Sequence, residues 1–412
     1  MTISRKRIRI LAIHRYFWPD TPPYASMLRA IATRWAENGH EVEVLSTQPS
    51  YKSEAGILRQ AVTEKIDGFL IRRLTLLPEA GKPAFRLLNI ILFSLAIVLY
   101  TVLHRRYDVI MISTSPPIVS GMVVGLMAKL TGAKFVYHCM DIHPEIGRIS
   151  GDFKHPAVFS LLQRIDTVSC RWAARIVVLS RDMELAIRSR KGAELAKIVV
   201  INNFTIPNFD NGHSDVPQMF VKRNGVFRVL FAGNIGRFQG LDCFVDAMEL
   251  LSNRTDIEFV FMGDGKALED LRKRAGDQSE QKVFFFPHQP VTIAKAIIAD
   301  ADLCVVSLLP EVVRYAFPSK TMAYLEAGRP LLVSVEPDSE LACTVEREQI
   351  GIVVRPGDVV AISNAIASLA SDRAQWHCMQ NNAENCAVAF FSKTAKLDCW
   401  SALIEDVRDG VL

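Results

Sequence analysis

The 412-residue chain predicts an α/β protein of two domains, each a doubly wound, mostly parallel sheet with helices on both faces. Three observations carry this. The length exceeds what one ordinary core holds. Short runs rich in Val and Ile alternate with segments of helical periodicity, the pattern of buried parallel strands joined by crossover helices. The alternation pauses at a turn-rich stretch, Asn202-Asn-Phe-Thr-Ile-Pro-Asn-Phe-Asp-Asn-Gly-His-Ser214, and then restarts. That stretch is the expected linker, with domain boundaries at 1–205 and 206–390.

In the first half, Ile8–Ile13 reads as a strand, Ser26–Asn38 as a helix ended by Gly39-His40, and Glu41–Ser46 as a second strand. Asp108–Ser113, Lys134–His138 and Arg175–Leu179 continue the strands, with helices over Gly121–Leu130 and Phe159–Ala173. In the second half, Phe227–Phe231, Ile257–Met262, Val283–Phe286, Leu303–Val306 and Leu331–Val335 are the strands. A helix is expected over Leu241–Leu251. Two such domains would face each other across a cleft. Ligands of open α/β sheets sit beyond the carboxyl ends of the strands, and the most glycine-rich loops there lie in the second half. A nucleotide is therefore expected in that domain.

Composition narrows the function classes. Half of the residues are hydrophobic and 22 are glycine, which excludes a disordered chain. A net charge of +4 gives no reason to propose nucleic-acid binding. The eight cysteines are scattered, with neither Cys-x-x-Cys nor zinc-ligand spacing. Residues such as Cys304 sit in apolar runs, as buried thiols of a reducing compartment do. Ile10-Leu-Ala-Ile13 is too short for a signal-peptide core and reads as a first strand. Asp300-Ala-Asp302 closes a helix and precedes a strand, a context that argues against a metal-binding pair; no metal is expected.

Leu87 to Leu103 holds no charged residue. As a helix its 17 positions span about 26 Å at roughly 1.5 Å each, against a hydrocarbon core of about 30 Å. Three readings are open: a buried core helix, a transmembrane span, or a helix lying in the membrane interface. The α/β pattern on both sides of the run disfavours the span. The interfacial reading is favoured, with Leu87, Phe93, Val98 and Leu103 toward lipid and Arg105 and Arg106 toward lipid phosphates. The basic start Arg5-Lys-Arg-Ile-Arg9 is a second possible contact with an anionic surface.

The most informative segment is Phe317-Pro-Ser-Lys-Thr-Met-Ala-Tyr-Leu-Glu-Ala-Gly-Arg-Pro330. Pro318 suits the first position of a helix, and Ser319, Lys320 and Thr321 fall on the first turn, where backbone amides and the helix dipole favour an anion. Gly328 is the expected stop. Gly233-Asn-Ile-Gly-Arg-Phe-Gln-Gly240 follows a strand and opens a helix. Gly233 and Gly236 would let backbone amides, with Asn234, approach a diphosphate, and Arg237 would add a bidentate cation. The alternative is a tight turn with a surface arginine. Gly263 and Asp264, in Gly263-Asp-Gly265, and His288 sit at two further strand ends. In the first domain, Tyr137-His-Cys-Met-Asp-Ile-His-Pro-Glu145 follows a strand. Asp141 and Glu145 are catalytic candidates there, with His138 and His143 as possible acid/base or hydrogen-bonding groups.

These segments, in this order, resemble the family 4 retaining glycosyltransferases. Phe317–Pro330 is similar to the family's "P-S-K-x-x-E-Y-x-A-x-G-x-P" block. Arg9–Asp20, Ala36–Val44, Ala232–Gly240, Met262–Gly265 and Gly351–Asp358 are similar to its other blocks, so the resemblance covers nearly the whole chain. Asp141 to Glu145 resembles a subgroup's "D-x-x-P-E". The resemblance implies a GT-B fold, an acceptor-facing first domain and a nucleotide-sugar-facing second domain. It also implies a C-terminal segment, 391–412, whose helix over about Thr394–Asp409 packs back on the first domain. The activity implied is metal-independent transfer of a sugar from a nucleoside diphosphate sugar, with retention. The acceptor would be a lipid-linked or growing glycan of bacterial exopolysaccharide, lipopolysaccharide or capsule, reached from the cytoplasmic face. The nucleotide-sugar is a substrate, and no cofactor is expected.

The departures from the family are specific. Thr21-Pro-Pro-Tyr24 stands where many members have glycines, and Met140 where a histidine is usual. Gln239 replaces a basic lysine, which raises the importance of Lys320. Tyr315 and Ala323 occupy both positions of the family's Glu-x7-Glu pair. Glu326, one helical turn on, is the candidate replacement carboxylate. Two other readings follow: a GT-B nucleotide-sugar epimerase, or a non-catalytic nucleotide-binding scaffold.

Overall fold

The structure is a computed structural model, and it describes residues 7–20, 23–50, 59–79, 83–193, 197–204, 217–276 and 282–410. Most of the expected linker, together with Arg5, Lys6, Thr21 and Pro22, lies outside the described residues. The chain divides into two compact units: Met1–Asn202 with Lys393–Leu412, and Asn203–Ser392.

The first unit runs β1 (Arg9–Ile13), α1 (Pro23–Glu37), β2 (Glu41–Thr47), β3 (Thr63–Ile66), β4 (Phe69–Leu74), α2 (Pro83–Leu103), β5 (Val109–Ser113), α3 (Val119–Thr131), β6 (Lys134–His138), α4 (Glu145–Ile149), α5 (Pro156–Trp172), β7 (Arg175–Val178), α6 (Arg181–Arg188) and β8 (Ile198–Val200). The sheet order is β3-β4-β2-β1-β5-β6-β7-β8. Every pairing is parallel except β3 with β4. That hairpin closes on Asp67-Gly68, both at positive φ (46° and 85°), as a two-residue type I′ turn requires.

The second unit runs β9 (Phe227–Ala232), α7 (Asp242–Leu250), β10 (Ile257–Met262), α8 (Leu268–Ala275), β11 (Val283–Phe286), α9 (Val291–Ala299), β12 (Leu303–Ser307), α10 (Lys320–Glu326), β13 (Leu331–Ser334), α11 (Glu340–Arg347), β14 (Gly351–Val354), α12 (Val359–Ser371) and α13 (Arg373–Phe391). Its order, β11-β10-β9-β12-β13-β14, is wholly parallel. The order reverses between β9 and β12, and this switch point is where doubly wound sheets open a ligand crevice. Phe231, Phe244, Phe259 and Phe261 fill the core beneath it. Asp300 and Asp302 are structural. Both take hydrogen bonds from Lys222 and Arg228, and Asp302 also pairs with Arg373.

The chain ends in α14 (Lys393–Asp409), which belongs to the first unit and packs on α1. Trp400 is buried edge-on to Trp35 at 6.1 Å, and Trp35 Nε1 donates to its carbonyl at 3.3 Å. Arg34 pairs with Asp398 at 2.6 Å. Trp400→Ala is expected to destabilise this unit by about 3–5 kcal/mol. Urea unfolding measures it, and a loss below about 1 kcal/mol would show that α14 adds little.

Helix α2 is long and apolar enough to cross a membrane over Ala84–Leu103. Its flanking strands β4 and β5 nevertheless belong to one sheet, so the helix lies along that sheet. Asn89, Phe93, Ile97 and Thr101, spaced four apart, form its buried stripe. Asn89 locks the helix by bonding both backbone groups of Leu77, at 3.0 and 2.8 Å. Two expected membrane contacts are corrected. Phe93, 1% exposed, faces the core. Arg106 is tied to Glu43 at 2.9 Å, in a cluster with Tyr100, Tyr107 and Arg72. Leu87 and Leu103 are exposed at 63% and 76%, Arg105 is exposed, and Val98 is half-buried.

Candidate functional site

In the second unit, two glycine loops leave the carboxyl ends of β9 and β10 and pair with each other beyond the strands. Gly233 N donates to Met262 O at 2.9 Å, Ile235 N to Asp264 O at 2.9 Å, and Ala267 N to Ile235 O at 3.1 Å. The backbones are so close that a Cβ on Gly263 would lie 2.0 Å from Gly233 O, and one on Gly265 would lie 2.3 Å from Ile235 O. Gly263 and Gly265 are thus demanded by loop-on-loop packing. Gly233, at φ 128°, is different: an added Cβ there would meet only the end of Lys320, at 3.8 Å.

Helix α10 is pinned above these loops. The buried Tyr324 hydroxyl accepts from Ala232 N at 2.8 Å and donates to Ala232 O at 3.2 Å, at the last residue of β9. One turn earlier, this sets Lys320 Nζ 3.4 Å from the centre of the Phe231 ring and 3.1 Å from Gln239 Oε1. Desolvation holds the Lys320 pKa well below the ordinary lysine value. An arriving anion would oppose that shift and favour the ammonium. The helix begins two residues later than expected, at Lys320, with Pro318 O accepting from Thr321 N at 3.1 Å. It ends as expected at Gly328 (φ 64°), whose N–H donates to Leu325 O while Arg329 N donates to Tyr324 O. That is the double C-terminal closure of a left-handed glycine.

A cavity of about 180 Å³ opens at this place. Ala232 and Gly233 line it from β9, Met262 and Gly263 from β10, and His288 and Gln289 from the end of β11. Ala294 and Ile298 of α9, with Lys320, Ala323 and Tyr324 of α10, complete it. Four of the expected donor-binding residues therefore meet: Gly233, Gly263, His288 and Lys320. The others do not line the cavity. Asn234 and Arg237 are exposed on the loop after Gly233, Gly236 is buried within it, and Ser319 is exposed beside α10. Asp264 turns back to accept from Gly265 N at 2.8 Å. Thr321 is buried on another face of α10, so its expected donor contact is corrected. Glu326 points elsewhere, with Lys295 Nζ at 3.4 Å, and Ala323 puts a methyl into the cavity instead of a carboxylate. Sequence reasoning missed Tyr324 and Gln289; the four-residue step from Lys320 to Tyr324 was the available signal for the first.

In the first unit, the expected catalytic pair separates into different roles. Glu145 is buried and takes two hydrogen bonds from Arg190, at 2.9 and 2.6 Å, and one from Gln163. Arg190 also binds Asp166 at 2.6 Å, and Tyr137 donates to the same aspartate at 2.8 Å. Glu145 is thus part of a structural ion-pair cluster, which removes it from the free carboxylates. Asp141 lies three residues past the end of β6 and remains partly exposed. Burial raises its carboxyl to about 6. The hydroxyl of Thr114 accepts from the backbone N–H of Met140 at 3.2 Å and of Asp141 at 3.5 Å, fixing the turn.

Two buried histidines lie at the carboxyl ends of β1 and β6, the strands that flank β5. His138 bonds Tyr24 at 2.8 Å, and His14 bonds Ser113. Burial lowers both to about 3 and His143 to about 4, so all three are neutral at pH 7. They can take part in hydrogen bonds there, but not as standing cations. Among the described residues His138 Nε2 has no hydrogen-bond partner. No group of three or more metal-ligating side chains occurs among the described residues.

Residues 226–372 match the family described as "Glycosyl transferases group 1", and residues 24–203 match the "Glycosyl transferase 4-like domain". The chain is 29% identical over 270 residues to the probable glycosyltransferase WbjE of Pseudomonas aeruginosa, covering 64% of this chain and 66% of that one. It is 26% identical over 344 residues to WcaI of Escherichia coli, a putative colanic acid biosynthesis glycosyl transferase, covering 79% and 83%. Among solved structures, HepE of Anabaena in complex with UDP shares the fold, with a TM-score of 0.68 at 16% identity over 97% of this chain and 100% of that one.

Proposed function

Since the chain belongs to the family 4 glycosyltransferases of the GT-B fold, we propose that it moves a sugar from a nucleoside diphosphate sugar to a lipid-linked or growing glycan acceptor. The cavity at the switch point of the second unit carries this reading. It joins a backbone opened at Gly233, a desolvated lysine and a partly apolar wall, the combination that suits a nucleoside diphosphate. Lys320, with Arg237 on the adjacent loop, would offset the charge of the leaving diphosphate without a metal ion. The UDP in the HepE structure agrees with a nucleotide donor, and WcaI with a place in surface-polysaccharide assembly. In this reading Asp141 serves the acceptor side. No side chain of the cavity is a carboxylate, so departure and attack on the same face of the sugar, with retention, is the mechanism proposed. The acceptor would be met at the cytoplasmic face of a membrane, in peripheral contact.

Thermal shift tests the donor site. UDP or GDP and their sugars are expected to raise Tm by several degrees, and Lys320→Ala to abolish the rise. Arg237→Ala should reduce it, since that residue is exposed and the cavity lies one loop away. If neither nucleotide series stabilises the protein, the proposal fails.

Ala323 favours a second reading, a nucleotide-binding scaffold without transfer. It lines the cavity where the family block carries a carboxylate, and Glu326 does not replace it. Any donor hydrolysis or transfer that depends on Lys320 would eliminate this alternative.

A further inference from the structure

Helices α2, α3 and α5 follow β4, β5 and β6 and cross the sheet in the same direction, so right-handed connections place them on one face. Helix α3 lies between the other two, in contact with both. The outward side of this layer is apolar. On α2, Leu88, Ile91, Leu95, Leu99 and Val102 follow helical spacing and are exposed. Leu126 and Leu130 of α3 and Leu161 of α5 are exposed as well. An apolar surface spread over three helices is larger than single scattered side chains explain.

Charge identifies the occupant. The three helices, of 21, 13 and 17 residues, carry one acidic residue, Asp166, and it is buried against Arg190. Their cations Arg86, Lys129, Arg164 and Arg171 are exposed, and Arg105 stands exposed just past the end of α2. A face that exposes apolar side chains and cations together, with no exposed carboxylate on its helices, complements an anionic bilayer.

We infer that the outer layer of α2, α3 and α5 is a docking face for an anionic lipid bilayer, on which α2 lies in the plane of the interface. This deepens the proposed membrane contact and rests on that reading. It adds two helices to the surface and fixes the mode of contact. All three helices run against the strands, so their amino ends are at the carboxyl edge of the sheet. There Asn89 Nδ2 donates to Glu79 at 2.7 Å, and Glu79 accepts from Arg15, on the loop that follows β1. The amino end of α2 is thereby tied to the strand-end loops of the acceptor-side unit. A headgroup held at the bilayer surface would be presented to that edge.

Co-sedimentation of the full-length protein with phosphatidylglycerol/phosphatidylcholine vesicles tests this. Wild type is expected to bind, and far more weakly to phosphatidylcholine alone. Ile91→Glu with Leu95→Glu on α2 should lower binding at least tenfold, and Leu126→Glu with Leu130→Glu on α3 several-fold. The second pair separates a three-helix face from α2 acting alone. Arg86→Gln with Arg105→Gln should reduce the preference for anionic lipid. Nucleotide-induced thermal shift of each variant checks folding and tests the donor site independently of the membrane. Should a Glu pair lose that shift, Leu99→Gln and Leu130→Gln decide the matter in its place. Absence of wild-type binding, or variants that bind as wild type does, would overturn the inference. So would lipid-free self-association abolished by the same variants, which would make a second copy the occupant.

Discussion

Gly263→Ala is expected to cost the second unit several kcal/mol and to abolish nucleotide-induced stabilisation. Two independent effects add at this position. The backbone is at φ 141°, a conformation that an L side chain rarely adopts. The new Cβ would also sit 2.0 Å from the carbonyl oxygen of Gly233. A flexible side chain could swing away, but a carbonyl already placed in the paired loops cannot move without disturbing them. A loss of about 3 kcal/mol or more is the scale for such combined strain. Gly357→Ala is the control. It too lies at positive φ, 78°, but nothing stands within 4 Å of its added Cβ, so about 1 kcal/mol is expected. Urea unfolding of both variants measures the difference, and equal losses would show that the loop contact contributes nothing.

Asp141→Asn is expected to move stability and activity in opposite directions. An unfolded aspartate titrates near 3.9, whereas burial places this one at about 6 in the folded state. Between those values the folded protein holds the extra proton, so stability falls as pH rises from about 4 to about 6 and stays lower above. The neutral amide avoids the desolvation of a carboxylate. Asp141→Asn should therefore raise Tm at pH 7.5 by a few degrees and leave it unchanged near pH 3.5. Transfer to acceptor should drop by about two orders of magnitude, the scale of losing an acid/base or strongly hydrogen-bonding group. Nucleotide binding should persist, because the donor cavity belongs to the second unit. A destabilised variant at pH 7.5 would show that Asp141 has a stabilising partner, and unimpaired transfer would remove it from the mechanism.

Most strands were legible because each is a short β-branched or aromatic run buried on both faces. Lys134–His138, Ile257–Met262 and Val283–Phe286 coincide with the expected limits. The β3–β4 hairpin was missed, since β3 is an edge strand with the polar sequence Thr-Glu-Lys-Ile. Its Asp67-Gly68 turn was the usable signal. Lys320 was legible from its place at a helix start after Pro318. Thr321 was not, because one residue of register on a short helix separates the cavity from the core.

The sequence by itself determined the alternation of strands and helices, the two-domain division, the family, and the glycines that mark the loops. Those properties depend on neighbours along the chain, through periodicity, turn chemistry and the order of motifs. Tertiary structure decided which glycines face a ligand and which face another backbone. It assigned Glu145 to Arg190 and left Asp141 partly exposed with a raised pKa. It also divided α2 into a buried stripe at Phe93 and an exposed apolar side at Ile91 and Leu95. The physical reason is the same in each case: burial, desolvation and charge pairing are set by residues distant in sequence.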